Sequence, residues 1–339
     1  MTPAGVAIVG AGLMGSWHAR AVRRAGGRVL MVVDSDRTKA ASLAARYSGA
    51  CVASSLEAAL ADAGVRIVHV CTPLSTHVPI AGAALEAGRH VLMEKPFAPS
   101  AGATRELLEL ARTRGCLAAP VHQFLFQRGV DEALRRCGQV GPLRHLLLTI
   151  CSAGAAGHPS SRADQIAAEI LPHPLSLVGL FLPGSLAEGR WAGERSAPGE
   201  WRVNGVAGGA GIQIVISMGG RPTVNELRLV GERGTVHVDL FHGYAVTEPG
   251  TVSRTRKILR PLDLAARQGL RASTNLVARA VRGEAAYPGL NALVRHFHRA
   301  VGMREGGGGE GSGGLGMLAP EETLAVAELW ERLSVVRAP

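Results

Sequence analysis

Cysteine is sparse in this sequence and has no pairing pattern. Cys51, Cys71, Cys116, Cys137 and Cys151 are odd in number and scattered, with no Cys-x-x-Cys spacing. That argues against a disulfide framework and a zinc site, and points to reduced thiols in a cytoplasmic protein with no bound metal. Long apolar runs are missing too. None approaches the roughly 20 residues that a membrane-spanning helix needs, so no membrane partner is expected. Val6-Ala7-Ile8-Val9 runs straight into a glycine turn with no basic n-region, and no secretory signal is read there. Acidic residues are outnumbered: Asp+Glu total 27 against 37 Lys+Arg, a net charge of +10. The densest basic block holds Arg254, Arg256, Lys257, Arg260, Arg267, Arg271, Arg279 and Arg282, opposed only by Asp263. No aromatics interleave with it, and no helix-turn-helix, zinc-finger or RNA-binding signature occurs, so no nucleic-acid partner is expected. The block reads as a solvated helix face, with a patch that draws in an anionic substrate as the second reading.

What is present is a chain of 339 residues, too long for one core, which predicts two domains. Val6 to Val9 is a strand candidate, and Gly10-Ala11-Gly12-Leu13-Met14-Gly15 follows it, opening a helix to about Ala25. This is G-x-G-x-x-G between strand and helix. Gly10 permits the tight turn, Gly12 lets a pyrophosphate approach the backbone, and Gly15 lets helix and strand pack closely. The helix N-terminus, with Leu13 and Met14 in its first turn, offers unpaired N–H groups to the phosphates. The next strand, Arg28 to Val33, ends in Asp34, placed to take the adenosine ribose hydroxyls. A carboxylate there favours NAD. Arg37, three residues on, keeps NADP open.

Strand and helix then alternate. Helices are predicted over 37–47, 54–63, 78–87 and 99–114, and strands over Val65–Val70, His90–Met93 and Leu117–Val121. That alternation implies a doubly wound parallel sheet. Thr72 and Pro73 fall on its carboxyl edge, beside Gly10 and Lys95. His77 either faces the cofactor or serves as a polar helix start. Glu94 and Lys95 end a buried strand where such a sheet presents groups to a ligand, and Pro96 can hold a rigid turn there.

Together, Gly10 to Gly15, Asp34, Cys71-Thr72-Pro73 with His77, and Glu94-Lys95-Pro96 resemble the glucose–fructose oxidoreductase / inositol dehydrogenase (Gfo/Idh/MocA) family. The resemblance is close over the first third and loose beyond. It implies an NAD(P)-dependent oxidoreductase acting on sugars or cyclitols. The implied fold is α/β, with a Rossmann domain over 1–122 and an α+β domain over 123–339 for substrate and oligomerisation. The second domain would be a large, mostly antiparallel sheet, in a homodimer or homotetramer. The resemblance places Lys95 at the reacting hydroxyl and the cofactor, with a Lys-Pro peptide that is often cis. It makes His173 the proton acceptor, and Glu169 stands where relatives carry an aspartate. His122 and Gln123 follow the last strand of the first domain and are expected at the substrate. The arginine that relatives carry nearby is replaced by Phe124.

Around that histidine, Pro172 and Pro174 argue against a continuous helix from Glu169, and a helix is predicted to begin near Pro174. Farther on, Leu143 to Cys151 is a strand. Runs at 201–206, 211–218, 223–230, 235–240 and 244–247 suit an antiparallel meander. Helices are expected over 258–282, 289–301 and 320–335, with a glycine-rich linker over 305–316. The functional expectation is hydride transfer between a secondary alcohol and nicotinamide, with a small-molecule substrate. A biosynthetic ketone or imine reductase and a non-catalytic NAD(P)-binding sensor are the alternatives.

Overall fold

The computed structural model describes residues 4–250, 253–283, 287–306, 316 and 319–334. Of the expected glycine-rich linker, residues 307–315 lie outside the described residues, and Glu305 ends a helix instead. The chain divides into two compact units: residues 1–122 with 290–328, and residues 123–289 with 329–339.

The first unit is built on six short strands: β1 (Gly5–Val9), β2 (Arg28–Val33), β3 (Cys51–Val52), β4 (Val65–Val70), β5 (His90–Met93) and β6 (Ala118–Pro120). Their spatial order is β3-β2-β1-β4-β5-β6 and every pairing is parallel. The order reverses between β1 and β4, which opens a crevice at the carboxyl edge there. Helices α1 (Leu13–Arg24), α2 (Arg37–Ala44), α3 (Leu56–Leu60), α4 (His77–Glu86) and α5 (Ala101–Thr113) connect the strands. β1 and β5 are buried at every position, as strands covered on both faces must be. Side-chain oxygens of Asp36, Ser55 and Ser100 accept first-turn N–H groups and so set the starts of α2, α3 and α5. The predicted second and third helices are shorter than expected, because Asp36 and Ser55 place their caps and the chain turns soon after.

The second unit holds α6 (Arg128–Cys137), β7 (Leu143–Cys151), α7 (Ser160–Ile170), α8 (Pro172–Phe181) and α9 (Ser185–Glu188). Strands β8 (Arg190–Ala197), β9 (Glu200–Ala207), β10 (Ala210–Ser217), β11 (Val224–Gly231), β12 (Gly234–Asp239) and β13 (Tyr244–Pro249) follow, and then α10 (Arg254–Val281). Its seven-stranded sheet has the order β13-β12-β11-β7-β10-β9-β8, with only β7 and β10 parallel. In β9, Trp201, Val203 and Ala207 are buried while Arg202, Asn204 and Val206 are exposed, the alternation of a sheet with one solvated face. The sequence reading missed β8. It is an edge strand whose Arg190, Glu194 and Arg195 give no apolar signal.

One expectation needs correction. The second domain does not run unbroken to residue 339. Helix α11 (Leu290–Glu305) packs against α1 in the first unit through a face that includes Leu293, Val294, Phe297 and Val301. The last helix, α12 (Pro320–Ser334), contributes its first nine residues to that unit. The break expected at the prolines is present: two separate helices occur, and the second begins at Pro172, two residues before the expected start. α7 ends at Ile170, Leu171 keeps helical dihedrals (φ −52°, ψ −34°), and α8 begins at Pro172. Pro172 has no N–H to give the Ala168 carbonyl four residues back. Trp330 Nε1 donates to that oxygen instead, at 2.8 Å.

Candidate active site

The carboxyl edge of the parallel sheet is stitched strand to strand. Gly10 N–H donates to Val33 O (2.8 Å), Cys71 N–H to Val9 O (2.7 Å), Glu94 N–H to Val70 O (2.9 Å) and Val121 N–H to Met93 O (2.8 Å). The residue that leaves each strand is thereby anchored beside its neighbour. The glycine loop, Thr72, Glu94-Lys95 and His122 follow one another along a single row.

Each glycine of the loop meets the constraint expected of it. Gly10 has φ +97°, and a Cβ there would sit 2.6 Å from the Cys71 carbonyl oxygen. A Cβ on Gly15 would overlap the Gly10 carbonyl oxygen. A Cβ on Gly12 would meet nothing within 4 Å. The first and third glycines are therefore required by the chain's own packing. The second faces open space, where a pyrophosphate can reach the backbone. Gly12 caps α1 without a side-chain acceptor, so the first-turn amides carry no internal cap. Leu13 is 67% exposed on the same loop, with Met14 half-buried beside it.

Asp34 Oδ2 accepts the Ala11 N–H at 2.6 Å and Oδ1 accepts the Asp36 N–H at 2.8 Å. The carboxylate thus ties the end of β2 to the glycine loop and keeps lone pairs for further donors such as ribose hydroxyls. Arg37 is exposed at the first position of α2. These features fit a dinucleotide: an open backbone at Gly12, uncapped helix amides and a carboxylate one strand away.

Thr72 Oγ1 accepts from Thr76 Oγ1 at 2.8 Å, a bond that closes the turn after β4 around the exposed Pro73. His77 is 1% exposed. Its ring spans two carbonyl oxygens, with Nδ1 3.0 Å from Pro96 O and Nε2 3.0 Å from Thr72 O. It is a strut between the β4 and β5 turns, which gives it a structural part that sequence reading did not assign. The Lys95–Pro96 peptide is cis.

Glu94 is buried. Burial pushes its carboxyl up, but the hydrogen bond with His18 and the charge of Lys95 outweigh that, and the net shift is downward. Glu94 is therefore a buried carboxylate next to the Lys95 ammonium. His122 is held at about 3, by burial first and by the Lys95 charge second, so its ring is neutral. The Cys71 thiol is pushed well up by burial and by Glu94, so no thiolate forms there. Among the described residues no group of three metal-ligating side chains occurs, and no helix is long and apolar enough to cross a membrane.

The remaining site candidates belong to the second unit. His173, 5% exposed, lies in the first turn of α8 with its ring stacked on Phe124 (centroids 4.5 Å apart, planes 25° apart). Ser176 Oγ donates to the His173 carbonyl at 2.8 Å. Phe124, which stands in place of the arginine, is thus the floor under the histidine. Gln123 is buried in the short helical turn with Phe124. Glu169, in the last turn of α7, lies 3.5 Å from Arg162 Nη1.

Sequence reading missed His18, His69 and His298, which lie behind Glu94 in the first unit. A histidine inside the apolar strand Val65–Val70, and another one turn past Gly15, were the available signals.

Fold and edge together define a nicotinamide-dinucleotide-binding Rossmann domain. Residues 4–122 match the family described as "Oxidoreductase family, NAD-binding Rossmann fold" (GFO_IDH_MocA). Inositol 2-dehydrogenase 2 of Saccharopolyspora erythraea is 34% identical over 164 residues, which cover 47% of this chain and 48% of that protein. The chain thus spans about half the length of that curated relative. Among solved structures, an inositol dehydrogenase homolog from Azotobacter vinelandii complexed with NAD+ superposes with a TM-score of 0.75 at 19% identity, covering 98% of this chain and 94% of that one. KijD10, a 3-ketoreductase from Actinomadura kijaniata complexed with NADP, gives a TM-score of 0.70 at 18% identity, covering 98% and 97%. At these identities the structures show the shared fold.

Proposed function

We propose that the protein is a cytoplasmic NAD(P)-dependent oxidoreductase that moves a hydride between nicotinamide and the secondary alcohol or ketone of a sugar, a cyclitol or a related polar metabolite. The observation that carries this reading is the buried Glu94 carboxylate beside Lys95 on the same sheet edge as the glycine loop and Thr72. A bound nicotinamide would supply the hydride acceptor or donor. Gly10 to Gly15, Leu13, Met14 and Asp34 would hold the pyrophosphate and ribose, with Thr72, Pro73 and His77 shaping the wall beside the ring. Lys95 would stabilise the developing oxyanion and exchange its proton, with His173 of the second unit as the general base. His122 and Gln123 would orient the substrate hydroxyls. Glu169 would support His173 only after release from Arg162. Asp34 favours NAD; Arg37 leaves NADP admissible. Residues 123–289 would serve as the substrate domain and as the surface of a homodimer or homotetramer.

One observation favours a second reading, a cofactor-binding sensor without turnover: the His173 ring is almost fully covered and stacked on Phe124. Titration with NADH and NADPH by nicotinamide fluorescence, followed by turnover assays with NAD+ and myo-inositol, other cyclitols and pyranoses, separates the two. Binding with turnover on one of these polyols supports the enzyme. Tight binding without turnover on any polyol or its ketone supports the sensor. Binding of neither cofactor to folded protein refutes both.

A further inference from the structure

Four polar side chains form a continuous chain through the apolar interior of the first unit. His18 Nε2 lies 3.2 Å from Glu94 Oε1, His18 Nδ1 lies 3.0 Å from His69 Nδ1, and His69 Nε2 lies 3.3 Å from His298 Nε2. His18 and His69 are wholly buried, and His298 is 9% exposed. The rings meet edge to face, with planes 89° and 67° apart, so nitrogens rather than ring faces are presented to one another. Aliphatic residues would fill this space without desolvating three imidazoles and a carboxylate.

Ionised Glu94 can only accept, and with one proton on each ring this fixes the order of protons. His18 must carry its proton on Nε2, so its Nδ1 accepts from an N–H at His69 Nδ1. His69 Nε2 then accepts from an N–H at His298 Nε2. In this arrangement every bond has one donor and one acceptor. Burial agrees with one proton on each of the outer two rings, holding His69 well below its ordinary value and His298 at about 4. His298 Nδ1 is left as the outer end. It lies beside Gly27, a partly exposed residue of the turn between α1 and β2, where a Cβ would come within 3.2 Å of it.

We infer that Glu94, His18, His69 and His298 form a proton relay between the Lys95 end of the candidate active site and the surface at Gly27. A proton taken up at His298 Nδ1 releases the Nε2 proton to His69 Nε2. The His69 Nδ1 proton passes to His18 Nδ1, and the His18 Nε2 proton passes to Glu94 Oε1. One proton enters at the surface, one arrives on the carboxylate, and no ring stays charged. Reduction of a carbonyl consumes such a proton, and oxidation of an alcohol runs the same steps in reverse. Each ring must exchange its N–H position before another proton can follow in the same direction. The relay rests on the oxidoreductase reading for its purpose, but its proton order does not.

The test therefore has two arms. In protein labelled with 15N-histidine, the expected spectrum shows neutral rings protonated at His18 Nε2, His69 Nδ1 and His298 Nε2, with scalar couplings across both N–H···N bonds. A charged His69, or a His69 protonated at Nε2, overturns the relay whatever the enzyme acts on. In the second arm, NADH reduces 2-keto-myo-inositol or whichever ketone the polyol screen identifies. The variant His69→Leu should lower kcat roughly 10- to 10²-fold with KM little changed and with a larger solvent deuterium isotope effect. His298→Ala should recover when imidazoles are added, in the order of their basicity. Unchanged turnover in a folded His69→Leu protein, or rescue indifferent to basicity, refutes the relay. Absence of turnover in the wild-type protein with every ketone counts against the enzyme reading alone, and the tautomers still decide the relay.

Discussion

Replacing Gly12 and Gly15 separately by alanine should have opposite consequences, although both are glycines of one loop. In Gly15→Ala the new methyl would overlap the Gly10 carbonyl oxygen and lie 3.4 Å from Ile8 Cγ2. The first obstacle is backbone, and Gly10 cannot retreat because its N–H is bonded to Val33 O and the Cys71 carbonyl closes in from the other side. Helix α1 must therefore move off β1. Overpacking of this kind costs about 1–3 kcal/mol, which in a unit of this size lowers Tm by roughly 2–12 °C. In Gly12→Ala the methyl meets no atom, and the backbone (φ −72°) is one that alanine adopts readily. Its stability should stay within about 1 kcal/mol of wild type, since the poorer cap is offset by a less flexible unfolded chain. Its NADH affinity should nonetheless fall, because the methyl occupies the approach of the pyrophosphate. Urea unfolding and NADH fluorescence titration on both variants form the assay. The reasoning fails if Gly15→Ala keeps the wild-type urea midpoint, or if Gly12→Ala binds NADH as tightly as wild type.

Three further outcomes are expected. Asp34→Asn replaces the acceptor-only group that receives the Ala11 and Asp36 amides. It should shift the NADPH-to-NADH affinity ratio towards NADPH by about tenfold, or about 1.4 kcal/mol; parallel fluorescence titrations would show an unchanged ratio if Asp34 does not select the cofactor. Trp330→Phe should strand the Ala168 carbonyl and destabilise the protein by about 1–3 kcal/mol, read as a lower urea midpoint. Stability should also fall on acidification. His90 and His298 are each held at about 4, below the ordinary value of 6.5, His90 by burial and then Arg66 and Arg304, His298 by burial and then His18. The folded state thus binds fewer protons than the unfolded one between these values. The stabilisation is fully present above about pH 6.5 and is lost as pH falls towards about 4. Urea midpoints across that range should decline in wild type and decline less in His90→Gln, and a flat wild-type profile would contradict this.

Much of the first unit was legible because its signals are local. A strand, three glycines and a helix occupy 20 consecutive residues at 5–24, and each glycine answers a constraint set within that stretch or at the adjoining strand end. Period-two alternation marked β9 and β10 for the same reason. The break between α7 and α8 was legible from Pro172 and Pro174. The group that relieves the first of them, Trp330, lies 162 residues away from Ala168. His77 was legible as a residue near the cofactor edge, but not as a strut, because its two carbonyl partners come from separate turns.

By itself the sequence determined the dinucleotide loop, the acidic end of β2 and the Glu94-Lys95 strand end, since each depends on the conformation of a few successive residues. Tertiary structure decided the rest. It returned α11 to the first unit, made β7 and β10 parallel neighbours, stacked Phe124 on His173, and aligned Glu94 with His18, His69 and His298. His69 and His298 are 229 positions apart, and His18 and Glu94 are 76 apart. Contacts at such separations are set by which apolar faces bury one another across the whole unit. No local pattern of residues carries that information.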